Sequence, residues 1–466
     1  MDVLPCPGCQ ERDARIAELE RQVALLQQQL ANLEARLKTN SSNSSTPPSA
    51  NPPGAPKNQK KKSKRKRGAQ PGHPPHLKQL LPPELVTRTV PIMPEECSDC
   101  HAALPADPGP NDTEVKRFQT IELPPIVLKV TEYQAHSRTC TGCGKVNHAI
   151  IPADIRAHSV GPRLTGTLSY LTGNLGMSKR NVEELAADVF GAPISLGTVA
   201  ALEQEVSAAL AVPHQQALEA VRQADVKFAD ETSWKLWGKL QWLWTAATAT
   251  IAVFVIHPQR GAVGLAALLG EVIQGILHSD RWHVYLQVPA ERRQICWAHL
   301  KRDFQKVVDR GGASVFVGRR GLRIVKEVFA AWHAFQEEKV TRQQLQARIE
   351  PLAARLNKAL VEGAYGDDTR VVKFCENVLK LEAALWTFVT KEGVEPTNNF
   401  MERLLRLAVL WRKKSFGCNS TVGCRYVERI LTVVQTCRLR DRNVLEYLHD
   451  TVRAYRQGKQ APDLLS

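Results

Sequence analysis

No stretch of this 466-residue sequence is both long and apolar enough to read as a membrane span. The longest uncharged run, Leu240 to Pro258, carries Gln241, Thr245, Thr248 and Thr250. It is β-branched and aromatic, and reads as paired buried strands. The chain opens Met-Asp-Val-Leu-Pro-Cys, which lacks the cationic start and apolar stretch of a secretory leader. No GxxxxGK(S/T) occurs, so P-loop ATP chemistry is not supported. There is no internal repeat. Acids are outnumbered, with 47 Asp and Glu against 62 Lys and Arg. A cytoplasmic location is expected, where disulfides are rare, so the 11 cysteines should be thiols or metal ligands.

The basic excess is large, a net +15 with a pI of about 9.4, and it favours a polyanionic partner. It is also uneven. Lys57, Lys60, Lys61, Lys62, Lys64, Arg65, Lys66 and Arg67 supply eight positive charges with no acid between them. Such an arm binds phosphates without sequence preference. Setting it aside still leaves +7 on the rest of the chain.

Residues 1–40 contain the clearest periodic segment. Ile16, Val23, Leu30 and Leu37 recur at one heptad position and Leu19, Leu26 and Leu33 at another. β-Branched residues at the first and leucine at the second favour a parallel dimer, so a homodimer or higher oligomer through a coiled coil is expected. Residues 41–80 read as a flexible linker rich in Ser, Asn and Pro that carries the basic run. Residues 84–155 alternate in β-like runs (Leu85–Val90, Lys116–Leu123, Val127–His136), and residues 160–210 read as short helices. Residues 222–302 switch to strand patterns, 303–395 are long and helical, and 396–466 are mostly helical.

Three constellations carry chemistry. Cys97-Ser-Asp-Cys100 and Cys140-Thr-Gly-Cys143 each place two thiolates on one tight turn. Four such ligands suit a closed, structural Zn²⁺ site. Cys6 and Cys9 form a lone further pair. The second constellation is a helix-turn-helix candidate. Ser178 caps a helix through Val182, Leu185, Ala186 and Val189; Gly191 and Pro193 break it; Ser195 caps a second helix with Val199, Leu202 and Val206 on its apolar side. Residues 195–207 offer no Arg or Lys to DNA. Ser195 and Thr198 remain as contacts, and Lys179 and Arg180 flank the motif.

The third constellation is catalytic. Val226 to Asp230 reads as a strand ending in an acid, followed by strands over 240–250 and 251–257, a helix near 261–270, a strand ending at Asp280, and a strand over 294–299 that runs into a basic helix. This is the element order of an RNase H-like fold, in which the tips of the first and fourth strands lie side by side. Two metal ions about 3.5–4 Å apart, held there by carboxylates, can activate a nucleophile and stabilise a leaving oxygen in phosphodiester cleavage. Mg²⁺ and Mn²⁺ prefer such hard oxygen ligands. A third acid comes from Thr397-Asn-Asn-Phe-Met-Glu402-Arg403, where Asn399, Glu402, Arg403 and Arg406 share one helical face. Arg412, Lys413 and Lys414 extend that positive track. Glu231, the rival to Asp230, points to the opposite face of the strand.

These features together resemble the large transposase of the insertion sequence 66 family of bacterial mobile elements. The resemblance covers nearly the whole chain. It includes the coiled coil, the Asn-Ser-Ser-Asn-Ser-Ser-Thr-Pro-Pro-Ser linker, Arg67-Gly-Ala-Gln-Pro-Gly-His73, the paired CxxC segment, Ala229-Asp230-Glu231-Thr232, Ser279-Asp280-Arg-Trp, Cys296-Trp-Ala-His299-Leu-Lys-Arg and Asn398-Asn-Phe-Met-Glu402-Arg403. It implies a metal-dependent Asp230, Asp280 and Glu402 triad, with a helical insertion filling the 122 positions from Asp280 to Glu402. It also implies hydrolysis of a strand at the element's end and attack of the freed 3′-hydroxyl on target DNA, with accessory proteins as further partners. Two rivals remain: a nuclease of the same fold that cuts without joining, and a non-catalytic DNA-binding regulator derived from a transposase.

Overall fold

The computed structural model describes residues 7–37, 39–41, 43, 79–105 and 116–466. The basic run Lys60, Lys61, Lys62, Lys64, Arg65, Lys66 and Arg67, most of the linker, and Cys6 lie outside the described residues. The chain divides into two compact units, 56–127 on one side and 1–55 with 128–466 on the other. The protein is a mixed α/β structure. No helix among the described residues is long and apolar enough to cross a membrane.

The expected coiled-coil segment forms one helix, α1 (Pro7–Leu37). Its seam residues Ile16, Leu19, Val23, Leu26, Leu30 and Leu33 are all exposed.

The segment 84–155 departs from expectation. Its three β-like runs do not form strands. The only strands there, among the described residues, are β1 (Ser137–Thr139) and β2 (Val146–His148), paired antiparallel. The unit boundary after residue 127 also cuts through it. The reason is the lack of a surface to pack on. Phe118, Ile121, Val127 and Val130 are exposed, and β propensity is expressed only on a half-buried pleated surface.

After the short α2 (Ala153–Ala157), the helices α3 (Pro162–Gly173), α4 (Lys179–Asp188) and α5 (Leu196–Ala209) pack around Leu168, Leu171, Val182, Ala186, Ile194, Val199 and Leu202. Both expected caps are present. The Ser178 hydroxyl accepts from the Asn181 N–H and that of Ser195 from the Thr198 N–H, each at 3.2 Å. Gly191 takes the left-handed turn between them, with φ +64°.

Helix α6 (Ala211–Gln223) leads into a five-stranded sheet of β3 (Val226–Leu236), β4 (Lys239–Ala247), β5 (Ala252–His257), β6 (Ile276–Ser279) and β7 (Arg293–Ile295), with α7 (Ala262–Leu269) between β5 and β6. The order across the sheet is β5-β4-β3-β6-β7. β3, β4 and β5 pair antiparallel, while β6 runs parallel to β3 and β7 parallel to β6. The uncharged run at 240–258 thus splits into β4 and β5, as its composition predicts. Helices α8 (Trp297–Arg310), α9 (Val315–Gln336), α10 (Arg342–Ala364), α11 (Thr369–Leu379) and α12 (Thr387–Thr390) build a second core around Trp297, Phe304, Val328, Leu352 and Phe388. The chain then returns to the sheet with α13 (Asn399–Ser415), α14 (Thr421–Leu439) and α15 (Val444–Arg456).

Helix α14 covers the sheet edge through its side chains. Glu428 Oε1 accepts from the Ile256 N–H at 2.6 Å, Thr432 Oγ1 from Phe254 at 3.1 Å, and Thr436 Oγ1 from Ala252 at 3.1 Å. Four helical residues rise about 6 Å. Two strand residues span about 6.6 Å. The spacings match closely enough for one helix to satisfy alternate outward N–H groups of β5, which would otherwise be an open edge. Thr432→Val keeps the shape but leaves the buried Phe254 N–H unpaired. It is expected to lower the unfolding free energy by about 1–3 kcal/mol in urea titration. A variant as stable as wild type would sink this account of the edge.

Candidate active site

Strand register sets the first two acids. Val226, Lys227 and Phe228 of β3 pair with Ile276, Leu277 and His278 of β6. Two residues further along each parallel strand come Asp230 and Asp280, at the same level. Alternation puts Asp230 on the face of Phe228, which packs against Met401, Leu404 and Leu405 of α13. Glu231 takes the other face. Its carboxylate pairs with Arg260 at 2.8 Å and accepts from Tyr285 Oη at 2.6 Å, leaving the side chain 2% exposed. Arg260 lies over the Trp242 and Trp282 rings, at 4.5 and 4.1 Å from their centroids. Glu231 is therefore fully committed to packing.

Asp230 is under electrostatic stress. Burial, then the negative charges of Glu231, Asp280 and more weakly Glu402, push its carboxyl well above the usual aspartate range; one hydrogen bond from the Glu231 N–H opposes this. Asp280 Oδ1 accepts the Trp282 N–H at 2.9 Å. The Asp280 carbonyl accepts from Arg293 at 3.0 Å and from Ser279 Oγ at 2.9 Å. Burial pushes the Arg293 guanidinium down to about 10, with Asp280 and Tyr285 opposing the drop. A buried cation thus holds the turn that carries Asp280.

The third acid arrives through Asn398. Its side-chain amide donates to the Ala229 carbonyl at 3.1 Å, one residue before Asp230, and its N–H donates to Cys296 Sγ at 3.1 Å. Phe400 packs edge-on against Phe228, with ring centroids 5.4 Å apart. These ties bring the first turn of α13, with Glu402, to the middle of β3 beside Asp230. Glu402 itself is exposed and turned to Arg302, 2.9 Å away. His299, on the same first turns of α8, lies in the fields of Arg302, Asp280, Glu402 and Asp303, and burial holds it below its usual range. Its Nδ1 is buried without a partner.

The fit of this site to divalent cations rests on its donors. Asp230 and Asp280 are hard oxygen ligands, and among the described residues no cationic side chain is paired to either carboxylate. Their mutual repulsion is what a bound cation would relieve. As the side chains stand, no three His, Cys, Asp or Glu of the described residues are gathered closely enough to hold a metal ion. Glu402 would have to turn from Arg302 to join the two aspartates.

A stability effect follows. An acid whose folded pKa is raised binds its proton more tightly when folded, so its contribution to stability falls as pH climbs from about 4 through the folded value. Asp230→Asn removes that penalty. The metal-free variant is expected to melt at a higher temperature than wild type at neutral pH. Added Mg²⁺ should raise the wild-type midpoint and leave the variant's nearly unchanged. Equal metal-free midpoints would contradict the charge crowding.

The cysteine turns are each well formed. Cys97 and Cys100 lie in the 56–127 unit and Cys140 and Cys143 in the other. N–H groups of Cys100 and Asp99 lower the Cys97 thiol, and those of Gly142 and Cys143 lower Cys140, so each turn favours a thiolate.

The expected DNA contacts fall into two groups. Lys179 pairs with Glu203 at 2.6 Å, and Ser195 Oγ and Thr198 Oγ1 bond each other at 3.0 Å. Arg412 reaches Thr232 Oγ1 at 2.9 Å and Ser233 Oγ at 2.7 Å, anchoring α13 along β3. Lys414 Nζ donates to the Gly176 carbonyl at 3.5 Å. Arg180, Arg403, Arg406 and Lys413 are exposed. The sequence reading passed over Asn398, Arg293 and the partnership of Arg302 with Glu402. Only the Asn-Asn doublet at the start of a helix pointed toward the first.

The family described as "Transposase IS66 family" matches residues 159–426, and a "Family of unknown function (DUF6444)" matches residues 6–79. An uncharacterized protein of Sinorhizobium fredii, y4qI, is 24% identical over 276 residues. That match takes in 53% of this chain and 51% of the relative, so the chain spans about half the length of the curated relative it matches.

Proposed function

The chain belongs to the IS66 transposase family, and from that premise we propose that it cleaves DNA strands at the ends of a mobile element and joins the freed 3′-hydroxyl to target DNA. The observation that carries this reading is the arrival of Asp230 and Asp280 at one level of two adjacent parallel strands, with α13 bringing Glu402, paired to Arg302, into the field of Asp230. Antiparallel β5-β4-β3 followed by parallel β6 and β7 is the strand order of an RNase H-like core. The helical stretch 303–395 is then the insertion.

Mg²⁺ or Mn²⁺, when bound, would activate the attacking oxygen and stabilise the leaving one. Asp230 and Asp280 would hold the cations, and Glu402, on leaving Arg302, would complete the set. Arg302 would then be free to pair with a phosphate oxygen. Arg293 keeps the Asp280 turn from shifting as charge accumulates. Arg180, Arg403, Arg406, Lys413 and Lys414 hold the phosphate backbone, as does the basic arm at 60–67. Zn²⁺ at Cys97, Cys100, Cys140 and Cys143 is proposed from the spacing of the pairs and the thiolate-favouring turn each forms by itself. Self-association through α1 is proposed from its exposed heptad seam.

The test is a strand-transfer assay with pre-cut element ends, target plasmid and Mg²⁺. Joined product supports the reading. Cleavage of uncut ends without any joining reduces the protein to a nuclease.

A further inference from the structure

Two large aromatic side chains stand out from the body of the protein on backbone that bulky residues avoid. Trp237 has φ +49° and is 64% exposed; Phe416 has φ +58° and is 75% exposed. Trp237 and Gly238 form the two-residue turn between β3 and β4, and both have positive φ, the turn geometry that ordinarily selects Asn-Gly. Phe416 holds the left-handed position that ends α13, where glycine is usual. Apolar aromatics held in strained backbone and facing solvent gain nothing in folding, and such strain gathers at functional sites.

The two positions belong to one rigid junction. The Trp237 N–H donates to the Cys418 carbonyl at 2.9 Å, and the Cys418 N–H donates to the Lys235 carbonyl at 2.8 Å. Gly417 sits so close that an added Cβ would stand 2.2 Å from the Lys235 oxygen. The loop after α13 is thereby stitched to the β3–β4 tip, with Phe416 and Trp237 on the two stitched segments.

The junction also lies at the end of a cationic path. From Asp230 to Trp237 is seven strand residues, roughly 23 Å. From Asn399 to Ser415, α13 covers about 25 Å. From Asp230 the strand, and from Asn399 the helix, both run to the aromatic pair. Exposed Arg403 and Arg406 lie along the helix, and exposed Lys235 and Lys239 flank the hairpin tip. Neither 232–270 nor 403–427 contains a single Asp or Glu. Flat rings at the end of an acid-free, cationic path suit bases whose faces are open, since base–aromatic stacking adds to phosphate attraction.

We propose that Trp237 and Phe416 form a stacking site for unpaired nucleotides of the DNA strand that runs from the acidic site along α13. The inference rests on the DNA-processing reading above. It places the unpaired bases about seven base-pair steps from the cleavage point, at 3.4 Å per step.

The experiment measures binding to a blunt duplex and to the same duplex with a short single-stranded overhang carrying 2-aminopurine. Trp237→Asn and Phe416→Gly relieve the backbone strain, so both variants should melt no lower than wild type. Each should nevertheless lose about 10-fold in overhang affinity, with 2-aminopurine quenching lost and blunt-duplex affinity unchanged. Trp237→Phe should retain most of the overhang affinity. Unchanged overhang binding in both strain-relieved variants overturns the inference, as does loss of self-association in sedimentation with overhang binding intact. If wild type stacks the overhang but joins no ends, the strand-transfer reading fails while this site stands.

Discussion

Asp280→Asn is expected to lower metal-dependent strand cleavage by at least on the order of 10³-fold, with DNA binding little changed. The amide keeps the size and can still accept the Trp282 N–H that positions the side chain. It cannot offer a charged oxygen to a divalent cation. The turn itself is held by Arg293 and Ser279 through the Asp280 backbone carbonyl, which the substitution leaves in place. Folding should therefore survive, and a thermal melt alongside the cleavage assay separates the two effects. The comparison with Glu231→Gln sharpens the assignment. Glu231 is locked to Arg260 and Tyr285 on the opposite sheet face, so its substitution should reduce stability ahead of cleavage chemistry. Full cleavage by Asp280→Asn would remove that residue from the catalytic set.

Arg456→Ala is expected to cost about 3–5 kcal/mol of unfolding free energy. The Arg456 guanidinium pairs with Glu205 at 2.7 Å and donates to the Val160 carbonyl at 2.6 Å and Thr165 Oγ1 at 3.0 Å. Both members of the pair are largely shielded, with side chains 11% and 14% exposed. Removing the cation leaves Glu205 in that setting with His158, 3.6 Å away, as its one remaining ion-pair partner among the described residues. The pair joins the last turn of α15 to the α3–α5 helices. Gly166 against the His449 backbone joins the same parts, and the 2.8 Å bond between the Thr172 and Tyr426 hydroxyls ties α3 to α14. Loss of Arg456 should lower the urea midpoint of the whole body in one transition. A separate early transition for 160–210 alone would mean that those helices unfold as an independent domain.

These contacts change the domain picture drawn from sequence. Residues 160–210 read as a separate helical module because their helices are short and well punctuated. Their caps were legible because Ser178, Gly191 and Ser195 act within a few residues of where they stand. Their docking on α14 and α15 was not, since Arg456 and Glu205 are 251 positions apart. The β-like runs of 84–155 erred in the opposite sense. Val, Ile and Phe were present in strand-like numbers, but strands need a neighbouring surface, and local sequence does not supply one.

The acid site shows the same division. Strand periodicity was enough to place Asp280 at the end of β6 and to send Glu231 to the far face, because alternation is a property of the backbone itself; it ended the first strand at Asp230, whereas β3 runs on to Leu236 by pairing with β4. The helical face bearing Glu402 followed from its 3.6-residue period. The sequence could not say that Asn398 would reach Ala229, that Arg293 would lie beneath Asp280, or that Glu402 would rest on Arg302 and leave the two aspartates without a third ligand. Those arrangements depend on which elements meet. By itself, the order of residues determined the helices and strands from residue 160 onward, their caps, the alternating faces and the excess of positive charge, all of which arise within a few neighbouring positions. Tertiary structure alone decided the level at which the strands pair, the helix that closes the β5 edge and the partner of each buried charge, because these follow from burial shared between distant segments.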